Sequence, residues 1–110
     1  MPRFSLRMTL PDGRTQSMAL SEPGLCLGRA EGNDVVLGDP KVSGRHLRLE
    51  VSASDVRIVD VGSSNGTFVN GSRIPPHAPY PLNAGDSVRL GDTWLQLQSA
   101  SAQPGVSAGG

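Results

Sequence analysis

Three stretches of this 110-residue chain carry side chains suited to holding an anion. They are Gly28-Arg29, the run from Asp39 to His46 and the run from Val61 to Gly66. Together they bring one guanidinium (Arg29), two hydroxyls (Ser43 and Ser64) and a side-chain amide (Asn65), with Lys41 and Arg45 close in sequence. A phosphate is held by a planar fork of N–H donors, a few neutral donors and accessible backbone N–H groups. A side-chain amide both donates and accepts, which suits the backbone of an extended peptide. The residue types therefore describe an anion site beside a peptide site, provided that the fold gathers the three stretches. Ser- and Gly-rich loops are common, so composition alone does not single out that chemistry.

The sequence around these stretches reads as short strands. Phe4, Leu6, Met8 and Leu10 alternate with Ser5, Arg7 and Thr9, the period of a half-buried strand. Pro11-Asp12-Gly13-Arg14 is a turn. Residues 15–20 then return antiparallel, although Gln16 to Glu22 taken alone also fits a short helix. Further strands are expected over Leu25 to Arg29, Asp34 to Leu37, His46 to Val51, Val56 to Asp60, Ser87 to Leu90 and Thr93 to Gln98. Thr67 to Val69 and Ser72 to Ile74 flank Asn70-Gly71, a strong hairpin signal. That makes about ten short strands and no long helix, the pattern of an antiparallel β-sandwich or barrel. In a sandwich, the loops at one end can converge. The domain is expected to span residues 1–98. Residues 99–110, SASAQPGVSAGG, read as a flexible tail or the start of a linker to something larger.

Composition narrows the function. Ten Lys and Arg balance ten Asp and Glu, so the formal net charge is zero. A general nucleic-acid binder or a polybasic membrane anchor carries a basic excess instead. Fourteen Gly and nine Pro suit many turns and do not suit a helical bundle. The single Cys26 cannot form an internal disulfide, and between Leu25 and Leu27 it reads as a small buried thiol. The two histidines, His46 and His77, have no Cys/His cluster around them to bind a metal. No apolar run spans a membrane and no signal peptide opens the chain, so the expectation is a soluble cytoplasmic domain.

At the level of motifs the sequence closely resembles the forkhead-associated (FHA) domain. The resemblance is carried by Leu25-Cys26-Leu27-Gly28-Arg29, by Asp34-Val35-Val36-Leu37, by Val42-Ser43-Gly44-Arg45-His46 and by Asp60-Val61-Gly62-Ser63-Ser64-Asn65-Gly66-Thr67-Phe68-Val69-Asn70-Gly71. The later run from Leu82 through Gly85-Asp86 to Leu90-Gly91 looks like the family's closing strands, so the match covers roughly residues 4–98. The resemblance implies an eleven-stranded β-sandwich that binds phosphothreonine peptides through loops at one end. It implies that Arg29 and Ser43 contact the phosphate, that Ser64 supports the phosphothreonine and that Asn65 holds the peptide backbone. Gly28, His46 and Gly66 are then structural, with His46 shaping the Ser43 loop. Members often place Arg or Lys directly after the motif serine. Gly44 stands there in this chain, so its N–H, or the charge of Arg45 or Lys41, would have to compensate. Lys41 occupies a position that in some members selects the third peptide residue after the phosphothreonine, which suggests an acidic residue there. No cofactor is implied. The partners implied are phosphothreonine proteins downstream of a Ser/Thr kinase, without nucleic acid or membrane. An FHA-like scaffold for phosphate-independent assembly is the alternative that Gly44 keeps open.

Other motif matches fail on context. Gly62-Ser63-Ser64-Asn65-Gly66 fits the nucleophile elbow of hydrolases, but that elbow needs a helix after it, and here a hairpin signal follows. The chain is therefore read as a non-enzyme. Asn65-Gly66-Thr67 and Asn70-Gly71-Ser72 fit the glycosylation sequon but mark turns. The run from Pro75 to Pro81 contains a PxxP and reads as a stiff surface loop.

Overall fold

A computed structural model describes residues 4–99. Eleven strands follow one another: β1 (Phe4–Thr9), β2 (Thr15–Leu20), β3 (Gly24–Gly28), β4 (Val35–Val36), β5 (Leu47–Val51), β6 (Val56–Asp60), β7 (Phe68–Val69), β8 (Ser72–Arg73), β9 (Tyr80–Leu82), β10 (Ser87–Leu90) and β11 (Thr93–Ser99). They build a six-stranded sheet of order β2-β1-β11-β10-β7-β8 and a five-stranded sheet of order β4-β3-β5-β6-β9. The two inner faces bury Leu6, Met8, Val88, Leu95 and Leu97 against Leu27, Leu47, Leu49 and Ile58. Each such aliphatic side chain contributes about 1.5–3 kcal/mol when taken from water. The all-β sandwich expected from the alternation is the observed architecture.

Residues 15–20 return antiparallel as expected, forming β2 paired with β1 from Phe4↔Leu20 to Thr9↔Thr15, and the helical alternative over Gln16 to Glu22 does not form. Three local expectations need correction. Pairing is not wholly antiparallel, because β4 runs parallel to β3 through Leu27↔Val35 and Gly28↔Val36. The connection between them folds back on itself, with the Asn33 N–H bonded to the Ala30 carbonyl. Since β4 is only two residues long, the Asp34 side chain takes the Cys26 N–H at 2.8 Å in place of a strand. The run from Pro75 to Pro81 is not all loop, because Tyr80 and Pro81 begin β9, which pairs with β6 at the sheet edge. A strand edge is where a proline, having no N–H, is tolerated. Cys26 is exposed and not buried. Leu27 points into the core, so the residue before it must point outward.

The Asn70-Gly71 hairpin forms as expected. Both residues have positive φ, at 51° and 89°, and they close β7 onto β8. At the other end of the expected domain, β11 includes Ser99. The rest of the expected tail, residues 100–110, lies outside the described residues.

Candidate functional site

The three stretches meet at one end of the sandwich. Backbone bonds join the first two directly: the Arg29 N–H donates to the Ser43 carbonyl at 3.0 Å and the Ala30 N–H to the Gly44 carbonyl at 3.1 Å. Gly28 permits this approach, because a Cβ at that position would collide with the Gly44 carbonyl and the Asn33 amide. The Asn33 Nδ2 donates to the carbonyls of Ala30 and Gly44, at 2.8 and 2.7 Å, and locks the turn. Two of the bonds that tie the third stretch to the second lie at the surface. The Ser64 N–H donates to the Ser43 Oγ at 2.9 Å, and the Asn65 Nδ2 donates to the Lys41 carbonyl at 2.8 Å.

The result is an open depression of about 240 Å³ lined by Arg29, Lys41, Ser43, Gly44, Ser64 and Asn65, with Pro40 and Val42 at its wall. The Arg29 Nε donates to the Val42 carbonyl at 3.0 Å, which fixes the guanidinium and leaves its two terminal nitrogens without a partner among the described residues. The Ser43 Oγ accepts from Ser64, so its own proton is available to a ligand. The Gly44 N–H likewise has no partner among the described residues. Lys41 lines the depression, but its Nζ lies 3.3 Å from the Asp92 carboxylate, so its charge is already paired. Arg45 is exposed and does not line the depression. Among the described residues, Arg29 is therefore the one unpaired cation lining it. Among the described residues, no three His, Cys, Asp or Glu side chains gather as a metal site.

His46 is buried beneath this surface. Its Nδ1 accepts the Ser43 N–H at 3.1 Å, and its Nε2 donates to the Gly66 carbonyl at 3.0 Å. An acceptor Nδ1 and a donor Nε2 define one neutral tautomer. Burial pulls its pKa below the ordinary value against the opposing pull of the Gly66 carbonyl. One ring thus bonds both the Ser43 loop and the loop that carries Ser64 and Asn65.

Two buried carboxylates, to which the sequence assigned no role, complete the framework. The Asp60 Oδ1 accepts the N–H groups of Gly62 and Ser63, both at 2.8 Å. Its Oδ2 accepts the hydroxyls of Ser63 at 2.6 Å and Thr67 at 2.8 Å. The Asp39 Oδ1 accepts the Lys41 N–H, and its Oδ2 accepts the Asp92 N–H and the Thr93 hydroxyl. Burial opposes ionisation at both sites, but these bonds outweigh it and hold each carboxyl below its ordinary pKa. The available signal was an acid flanked by Ser, Thr and Gly, which a sequence offers at many ordinary turns.

Comparison with known proteins agrees with this geometry. The FHA domain family model matches residues 25–91, which include every loop of the site. FhaB of Mycobacterium tuberculosis, an FHA domain-containing protein, is 35% identical over 81 residues, covering 74% of this chain and 51% of its own. The chain spans from a quarter to somewhat over half of the length of the curated relatives it matches. Among solved structures, the FHA domain of the CT664 protein from Chlamydia trachomatis superposes with a TM-score of 0.80 at 28% identity, over 88% of this chain and 97% of that one. A structure from an analysis of phosphothreonine-dependent FHA domain interactions gives 0.75 at 27% identity, over 93% and 98%. The family model and the fold agree, and the chain belongs to the FHA domain family.

Proposed function

We propose that this chain is a phosphothreonine-dependent protein-interaction module that reads the output of a Ser/Thr kinase, and that it carries no catalytic activity. The observation that carries the reading is Arg29: a guanidinium fixed at Nε, unpaired at its terminal nitrogens and facing hydroxyl and backbone donors across one depression. A dianionic phosphate has strong acceptor oxygens for such a fork. Ser43 and the Gly44 N–H supply neutral donors beside it. The Asn65 Oδ1 can accept a peptide N–H while its Nδ2 stays on Lys41. The phosphothreonine-dependent interactions of a structural neighbour support the same reading.

Arg29→Ala tests it. Losing a charged partner of this kind costs roughly 2–5 kcal/mol, out of about 8 kcal/mol for a micromolar complex. Calorimetry with a phosphothreonine peptide chosen from a library should therefore show binding to the wild type and almost none to Arg29→Ala, with the fold intact. Equal affinity for phosphorylated and unphosphorylated peptides would instead assign the domain to phosphate-independent assembly.

A further inference from the structure

The outer face of the six-stranded sheet carries a second set of recognition residues. Register places Trp94 on β11 opposite Arg89 on β10, Arg89 opposite Phe68 on β7, and Phe68 opposite Arg73 on β8. Their neighbours along the strands, Leu95, Val88 and Val69, point into the core, so this row points outward. Trp94 is 46% exposed, the Arg89 guanidinium lies 4.5 Å from the centre of the Phe68 ring, and Arg7 stands on the same face on β1. The outward strand positions of this sheet hold three arginines and no carboxylate, although the whole chain is neutral. Two of the chain's four aromatic residues are in this row. Tryptophan, other aromatics and arginine are the residues that anchor protein interfaces.

The row also adjoins the Arg29 depression at two points. The Arg89 Nη1 donates to the Gly91 carbonyl, and a Cβ on Gly91 would come within 3.0 Å of the Lys41 Cβ. The Arg73 guanidinium packs against Gly66, the residue after Asn65. From β8 to β11 there are three strand spacings, about 14 Å, which an extended segment of about five residues covers.

We propose that this Trp94–Arg89–Phe68–Arg73 row receives an acidic segment of the same partner that presents the phosphothreonine. Carboxylates would pair with the arginines, and the aliphatic stems of Glu would lie on the two rings. The proposal builds on the reading of the Arg29 site. Charge complementarity sets the occupant. A nucleic-acid strand would also use rings and guanidinium groups, but its binders carry a diffuse basic excess that this neutral chain lacks.

The test compares one phosphothreonine peptide in three forms: untailed, with five added Glu, and with five added Gln, each tail placed at either end in turn. The sole tryptophan, Trp94, makes intrinsic fluorescence a reporter of this face. The Glu tail should raise affinity about tenfold over the Gln tail, the sum of a few exposed charge pairs. It should change Trp94 emission, and its advantage should fade as salt rises from 0.05 to 0.5 M. Arg89→Gln should remove the advantage and leave the untailed peptide unaffected; Trp94→Ala, followed by calorimetry, is the second variant. Equal affinity of the Glu and Gln tails, or an advantage that survives both variants, overturns the proposal. So does an oligothymidine that shifts Trp94 emission where the Glu tail does not. Arg29→Ala separates the two readings, because it should abolish binding of all three phosphopeptides. If no phosphopeptide binds the wild type, the Arg29 reading fails, and the Glu segment titrated alone against Trp94 emission decides this face: no shift overturns the proposal.

Discussion

His46 makes the site sensitive to acid through one nitrogen. Its Nδ1 must stay unprotonated to accept the Ser43 N–H, while Nε2 holds the Gly66 carbonyl. Burial lowers its pKa from the ordinary 6.5, so between the folded and unfolded values the unfolded chain binds more protons. Stability must then rise with pH across that window. The contribution is complete above about pH 6.5 and is lost as pH falls through the folded value. Asp39 and Asp60, both lowered from 3.8, give stability that is complete above that value and is lost only as pH falls below it. Urea unfolding between pH 8 and 5 therefore isolates the histidine from these two carboxylates. The wild-type midpoint should fall towards pH 5. His46→Gln should start about 2 kcal/mol lower at pH 8, having lost a buried pair of bonds, and should show a flatter profile. A variant that keeps the full wild-type slope would show that another group carries it.

At the scale of elements, the loop between β6 and β7 is held from within by Asp60, which accepts four bonds from Gly62, Ser63 and Thr67. Ser64 and Asn65 are thus positioned by a residue that does not itself line the depression. Replacing Asp60 with Ala leaves the buried Thr67 hydroxyl and the part-buried donors of Gly62 and Ser63 without their acceptor. It should cost about 3 kcal/mol or more in unfolding free energy, while Thr67→Val, which removes one hydroxyl from a nearly isosteric side chain, should cost about 1 kcal/mol. Denaturation of both variants, with peptide titration of any that fold, checks the ranking; equal costs would mean that the loop is held elsewhere. The same loop shows what could be read from sequence. Its Ser-Ser-Asn-Gly motif and the Asn70-Gly71 turn are local, and both lie where expected. Strand alternation located nearly every element, because one buried face imposes period two. The parallel direction of β4, the proline-bearing β9 and the two buried aspartates were not legible. For β9 and Asp39 the deciding partners are distant in sequence, β6 for the one and Asp92 and Thr93 for the other, whereas the partners of Asp60 are local but of a kind that ordinary turns share. The ion pair of Lys41 was hidden by sequence distance as well, since its partner Asp92 comes 51 residues later.

Over the whole molecule, the balance of ten basic and ten acidic residues hides an uneven distribution. Arg29 stands unpaired at the loop end, Lys41 is neutralised by Asp92, and three arginines gather on one sheet face without a carboxylate among them. Overall neutrality removes the long-range field that would draw any polyanion to the surface. What remains is short-range, and the two surfaces should respond to salt differently. An untailed phosphothreonine peptide meets Arg29, Ser43 and Gly44 at hydrogen-bond distance, well inside a Debye length that shrinks from about 10 Å at 0.1 M to about 3 Å at 1 M. Its affinity should fall by no more than about threefold between 0.1 and 0.5 M salt, because direct contacts are screened far less than separated charges. Calorimetry at four salt concentrations measures this. A slope as steep as that of a polyanion binder, which loses several decades of affinity over such a range, would mean that the phosphate is held by the summed field of Lys41, Arg45 and the sheet arginines. Arg29→Ala would then keep most of the affinity at low salt. A shallow slope together with complete loss in Arg29→Ala places the recognition in one fixed guanidinium, which a neutral domain can carry without adhering to other anions.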